Sequence, residues 1–237
     1  MTRHVRLDPI EHASLRLITD RSAGLGDGVM MAPLFPHEFR QAQAWYPIVF
    51  SRETGSGRLR PFALFGLEKG SNLFLSGQVW DAAFIPAAHR MKPFLIGRGA
   101  DGLKVDVDLD HPRLSEATGE QLFLPDGTQA PALAEVAGLL AQVHEAEEAL
   151  PGFSAMMDEL GLFEPFTLDV TLDSGEQGRL AGFETVSEET LYSLDGATLA
   201  RLQAAGFLQP IFMAVASLSQ FVRLIQRRNA LDAKAAV

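Results

Sequence analysis

Val105, Val107 and Leu109 alternate with Asp106, Asp108 and Asp110, the clearest period-two pattern in the chain. Successive side chains of a strand point to opposite faces, so this segment reads as a strand with one apolar and one solvated face, the kind antiparallel sheets carry. A second segment repeats the pattern. Phe166, Leu168, Val170 and Leu172 alternate with Thr167, Asp169, Thr171 and Asp173, and "DSGEQG" supplies a turn into a returning strand. "YPIVF" and "PFALFGLE", parted by the polar "SRETGSGRLR", read as another hairpin, and "LFL" extends it to a three-stranded meander.

Helical periodicity lies mostly in the second half. Leu133, Val136, Leu139, Leu140 and Val143 share a helical face after Pro131, a residue suited to the first helical position. The pattern predicts a long helix near residues 131–150, ended by Pro151-Gly152, with a short second helix in "FSAMMDELGLF". "SEETLYSLDGATLARLQAAG" is helical from a cap at Ser187 or Asp195. A last helix near 209–228 is apolar nearly all round in its first half, which predicts burial or an interface. The expected class is α+β, a mostly antiparallel sheet with three or four helices. One domain over residues 1–237 is expected, with a subdivision near 125 between a strand-rich part (1–125) and an α+β part (126–230).

Composition removes several functions. The chain has no cysteine, which excludes thiolate zinc sites, iron–sulfur clusters and thiol catalysis. Its net charge of −10 argues against nucleic-acid binding, which needs a basic surface to displace counterions. The start "MTRHVRLDPIEHASLRL" has charges throughout and does not read as a signal peptide, and the apolar stretch 210–225 is interrupted and short for a bilayer. A cytoplasmic protein with no membrane span is the expectation, with export by a route that uses no N-terminal signal as the alternative. "SAGLGDG" lacks both the dinucleotide fingerprint and the GK[ST] of a phosphate loop, and reads as a plain loop.

"PHEFRQAQAWYPIVF" is the densest candidate site. His37-Glu38-Phe39-Arg40-Gln41 approaches HExxH, but glutamine replaces the second zinc ligand, so a zincin helix is not expected. The structural reading has Phe39 buried with His37, Glu38 and Arg40 solvated or paired. The functional reading has Arg40 binding an anion, Trp45 and Tyr46 stacking, and His37 or Glu38 accepting protons. Trp80, Asp81 and Arg90 lie in a Pro-broken segment and offer an aromatic, a carboxylate and a cation to the same pocket. Against this, Trp80 reads as core and Asp81 as a cap. Asp106, Asp108 and Asp110 are a weak metal candidate, since alternate strand carboxylates sit too far apart to grip one small ion unless the chain bends. The simpler reading is a solvated strand face.

Several segments together resemble the SapC family of bacterial proteins: "HVRLDPIEHASLRL", "FPHEFRQAQAWYPIVF", "NLFLSGQVWDAAFIPAAHRMKPFLIG" and "LYSLDGATLARLQAAGFLQPIFMAVASLSQFVRLIQRRN", in the same order over nearly the whole chain. The family takes its name from a surface-layer-associated protein, is distinct from the peptide-transporter permease of the same name, and has members beside outer-membrane uptake receptors and halogenase-like flavoproteins. It carries over no catalytic residues. The resemblance implies a soluble, non-enzymatic accessory or binding protein of envelope, surface-layer or nutrient-uptake biology, without a cofactor. A small molecule or peptide is the expected ligand, and the last helix the expected surface for a homodimer or protein partner. The alternative is an enzyme acting on an amino-acid or peptide substrate in a pocket around His37, Glu38, Arg40, Trp80 and Arg90.

Overall fold

The computed structural model describes residues 3–99 and 102–235. Contacts gather into two compact units. One comprises Met1–Gly28, Leu75–Asp81 and Ala87–Glu145, the other Val29–Phe74, Ala82–Pro86 and Ala146–Val237. The class is α+β, and the strand pairs are antiparallel.

In the first unit the alternating segment is the central strand of a three-stranded sheet. Gly102–Asp108 pairs with His4–Arg6 on one side and with Phe94–Gly99 on the other. Its apolar residues face inward: Val107 is fully buried and Val105 half-buried, packed with Leu17, Phe94, Leu122 and Phe123 against Leu133, Val136 and Leu140 of a helix. Burying each such side chain contributes about 1.5–3 kcal/mol.

The second unit holds a five-stranded sheet in the order Phe163–Thr171, Gln177–Val186, Ile48–Arg52, Leu59–Leu64, Met31–Pro33. Both hairpins expected from the sequence are present. The meander is not as expected: the third partner of the Ile48–Leu64 hairpin is Met31–Pro33, whereas Leu75–Ser76 pairs with Val79–Trp80. Phe39, Phe50, Phe153 and Phe163 fill the core at ring separations of 4.9–6.4 Å, within range for favourable aromatic pairs.

The long helix starts at Pro131 but runs through Pro151 and Gly152 to Glu159, absorbing the predicted second helix. Proline removes one helical hydrogen bond and crowds the preceding turn. Packing just beyond it compensates: Phe153 and Met157 are buried, and the Ser154 hydroxyl donates to the Leu59 carbonyl at 2.8 Å. Arg60 adds a bidentate pair to Glu147 at 2.7 and 2.8 Å. Ser187 and Asp195 both act as caps, of Glu188–Ser193 and Gly196–Ala204.

The expected final helix is two helices, Leu208–Ser217 and Gln220–Ala235. At the break Ser217 donates to the Ala214 carbonyl and Ser219 to that of Ala216, at 2.6 and 2.9 Å, in a turn where regular helical bonding ends. By length and composition alone, Leu208–Ala235 is apolar enough to cross a membrane, and a third of its most apolar window is buried. Its arginines are engaged within the unit. Arg223 lies over Trp45 at 5.1 Å, Arg227 over Phe74 at 4.3 Å, and Arg228 pairs with Glu68 and Asp232.

Candidate functional site

A cleft of about 410 Å³ opens in the second unit between the turn Pro36–Glu38, the helix face carrying Ala146, Ala149 and Phe153, and the segment from Gly206 to Met213. The turn explains which side chains reach it. Pro36 fixes the first helical φ, the Glu38 carboxylate accepts the Phe35 N–H at 3.1 Å, and Phe35, Glu38 and Phe39 are buried. The intervening side chains, His37 and Arg40, therefore turn outward onto the cleft. The walls are apolar and partly aromatic, with Phe153 and Phe207 in edge-to-face contact at 5.3 Å.

His37 stacks parallel to Phe35, with ring centres 6.1 Å apart. Partial burial holds its pKa below the usual histidine range, so it is neutral at pH 7. Arg40 is exposed and makes no hydrogen bond or ion pair among the described residues. Among the described residues the lining contains no carboxylate, hydroxyl or thiol. Chemically, the cleft can hold an apolar body and neutralise one negative charge. The neutral His37 imidazole is the group in the lining able to accept a proton.

The remaining sequence candidates have structural partners. Glu38 closes its own turn. Tyr46 is fully buried between Phe65 and Phe74, at 4.9 and 4.7 Å, and its hydroxyl donates to the Phe84 carbonyl. Trp45 is half-buried beneath Arg223. Trp80, Asp81 and Arg90 belong to the first unit. There Trp80 packs on His89 at 5.2 Å, Arg90 pairs with Glu135 at 2.6 Å, and Asp81 is exposed. Of the eight candidates, His37 and Arg40 line this cleft. Among the aspartates, Asp106 accepts from Arg6 at 2.5 Å, Asp108 accepts the N–H groups of Arg3 and Asp110 at 3.2 Å, and Asp110 lies 3.9 Å from Arg3. Among the described residues no group of three His, Cys, Asp or Glu side chains is placed to hold a metal.

Sequence reasoning missed a buried ionic cluster in the first unit. Asp27, 1% exposed, accepts from His89 Nε2 at 2.8 Å, from Arg21 at 3.2 Å and from the Ser22 N–H at 3.0 Å. Burial pushes the Asp27 carboxyl up, but the His89 hydrogen bond and the Arg21 charge outweigh it and leave the group below its ordinary value. Burial lowers His89, only partly offset by Asp27. Arg113 donates to the carbonyls of Ile18, Lys92 and Thr19, and burial, aided by the Arg21 charge, pulls it down to about 10. The glycine-rich loop serves this cluster. Gly26 has φ +88°, and a Cβ there would lie 3.2 Å from the His111 ring. His89 and Asp27 are only 2% exposed, so the cluster holds loops in place and does not meet solvent.

Together these features define an antiparallel α+β protein with a largely apolar cleft that carries the Arg40 cation and the His37 imidazole. The chain belongs to the SapC family, whose model matches residues 7–224. Comparison with curated proteins and with solved structures returned no significant match.

Proposed function

We propose that the protein is a non-catalytic binding protein whose cleft takes a small aromatic carboxylate. The observation that carries this reading is the uncompensated Arg40 guanidinium beside a hollow walled by Phe153, Phe207, Pro36 and Pro210. A guanidinium forks onto a carboxylate with two parallel hydrogen bonds, and aromatic walls favour a flat ring. The volume of about 410 Å³ is in the range of small-ligand sites. A lining without acid, hydroxyl or thiol favours binding over an enzyme of amino-acid or peptide substrates. The SapC resemblance makes an accessory role in bacterial envelope or nutrient-uptake biology the natural setting.

Calorimetry with phenylacetate and indole-3-acetate tests this, with 2-phenylethanol as the uncharged control. A charge-assisted hydrogen bond is worth roughly 1.5–3 kcal/mol, so Arg40→Gln should weaken the acids about tenfold or more and leave the alcohol unchanged. Arg40 is exposed, so the variant should fold normally, which circular dichroism checks. Equal affinity of both proteins for the acids, or no heat with any probe, overturns the proposal.

A further inference from the structure

The first unit contains a larger hollow, of about 660 Å³, beside its own core. The sheet packs on the helix through Leu133, Val136 and Leu140, which close onto Phe94, Val107 and Leu122. One helical turn apart, Ala137 and Ala141 also face the hollow, and their short side chains leave space beside Leu7, Ile96 and Val105. Interiors are ordinarily packed to crystal density, so an open gap of this size next to a well-filled core is a shaped space. Its walls are chiefly aliphatic, in contrast to the aromatic cleft around Arg40.

Thr128 and Gln129 are neutral polar residues of the lining, and its charged groups carry one sign. Among the described residues Arg6 and Lys104 are its charged lining residues, on a chain with net charge −10. Arg6 is engaged by Asp106 at 2.5 Å and by the Arg98 carbonyl at 3.0 Å. Lys104 is exposed and has no ion pair among the described residues. Leu103 beside it is 46% exposed, a large apolar side chain left in water at the edge of the hollow. A second cleft of about 470 Å³ shares Pro9, Phe123 and Gly127 with the first, but Arg16, Glu116 and Asp126 also line it, so the apolar trough is the first hollow. The apolar lining of the first hollow alone, from Leu7 and Pro9 past Ile96 and Val105 to Leu133, Ala137 and Ala141, is more extensive than a single ring needs.

We propose that this trough binds an unbranched alkyl carboxylate, its chain lying between helix and sheet and its headgroup at Lys104. An aliphatic trough of this extent selects a flexible chain, since affinity there grows with each methylene removed from water. The lone uncompensated ammonium selects an anionic head. The site is separate from the Arg40 cleft, and its test does not depend on that one.

Calorimetry and native mass spectrometry with hexanoate, decanoate and dodecanoate below their micellar concentrations are the experiment. The expected result is one ligand per chain, with affinity rising about fourfold for each methylene that leaves water. Dodecanol and dodecyl phosphate separate head from tail: the alcohol should bind about tenfold more weakly, and equal or tighter phosphate binding would reassign the head to a phosphate and overturn the carboxylate. Lys104→Glu, at an exposed position, should weaken dodecanoate tenfold or more and leave dodecanol unchanged. The double variant Ala137→Leu, Ala141→Leu fills the trough and should abolish both, and where it does not fold the Lys104 variant alone decides. Arg40→Gln should leave dodecanoate binding intact. No binding, several ligands per chain, indifference to Lys104→Glu, or retained binding in a folded filled variant each refutes the site.

Discussion

The Ser217 hydroxyl tests the packing of the second unit at one atom. It is fully buried, accepts the Ile48 N–H at 2.8 Å and donates to the Ala214 carbonyl at 2.6 Å. Ile48 begins the strand Ile48–Arg52, so a helix side chain satisfies the first donor of a central strand. Ser217→Ala removes one oxygen and leaves a buried N–H unpaired. Such a donor retains its full desolvation penalty, roughly 1–3 kcal/mol, and the small void adds little. For a chain of this size each kcal/mol corresponds to about 2–4 °C in Tm. The assay is urea unfolding followed by circular dichroism, with thermal melting alongside. The expected result is a lower midpoint at unchanged m-value and a Tm drop of about 2–12 °C. Ser219→Ala is the control: its hydroxyl also donates to a helix carbonyl, Ala216, but is exposed, and the change should stay within about 0.5 kcal/mol. If Ser217→Ala matches Ser219→Ala, the hydroxyl does not satisfy Ile48 and the reasoning fails.

Two pH effects follow from the histidines. In the first unit burial holds His89 and His111 below their ordinary value, so the unfolded chain binds protons more readily than the folded one. The stability they contribute is fully present above the unfolded pKa of about 6.5 and declines as pH falls below it toward the folded values. Tm should fall between pH 7.5 and 5, and His89→Gln should flatten that slope; an unchanged slope would count against the buried cluster. In the cleft, His37 is neutral at pH 7 and gains charge only as pH drops below the usual histidine range. Binding of indole-3-acetate should therefore tighten from pH 7 to 5.5, where the ligand remains ionised, and His37→Gln should abolish the gain.

Local signals in the sequence were legible where local physics decides. The alternation of Val105, Val107 and Leu109 with aspartates, the helix start at Pro131 and the caps at Ser187 and Asp195 all appear in the fold. Pro151 misled because its penalty is local while its compensation, Phe153 in the core and Ser154 on the Leu59 carbonyl, comes from distant residues. The break at Leu218–Ser219 was hidden because serine is tolerated within helices; only the Ile48 N–H shows why the Ser217 hydroxyl faces inward. At the candidate site, His37 and Arg40 were visible as polar positions flanking buried Phe39. Tyr46 carried the same motif-level promise yet lies wholly in the core. The Asp27–His89 pair is 62 residues apart and begins in a loop whose glycines carry no motif, so no spacing rule reaches it.

The two proposed sites share a logic that the acidic composition sharpens. Acidic residues outnumber lysine and arginine by 30 to 20, so a cation on this chain has carboxylates in excess to pair with. Many do pair: Arg52 with Asp158 and Glu184, Arg60 with Glu53 and Glu147, Arg179 with Asp169, Arg201 with Glu159. Exposed pairs of this kind add little stability, so an unpaired surface cation is unremarkable by itself. Arg40 and Lys104 differ because each borders a hollow whose lining, among the described residues, has no acid. Inside such a hollow the apolar walls displace water, and a charge–charge contact gains strength as the local dielectric falls. The same guanidinium or ammonium is worth far less beside open solvent. Recognition therefore depends on wall and cation together, and filling the wall or removing the cation should each be enough to lose the ligand.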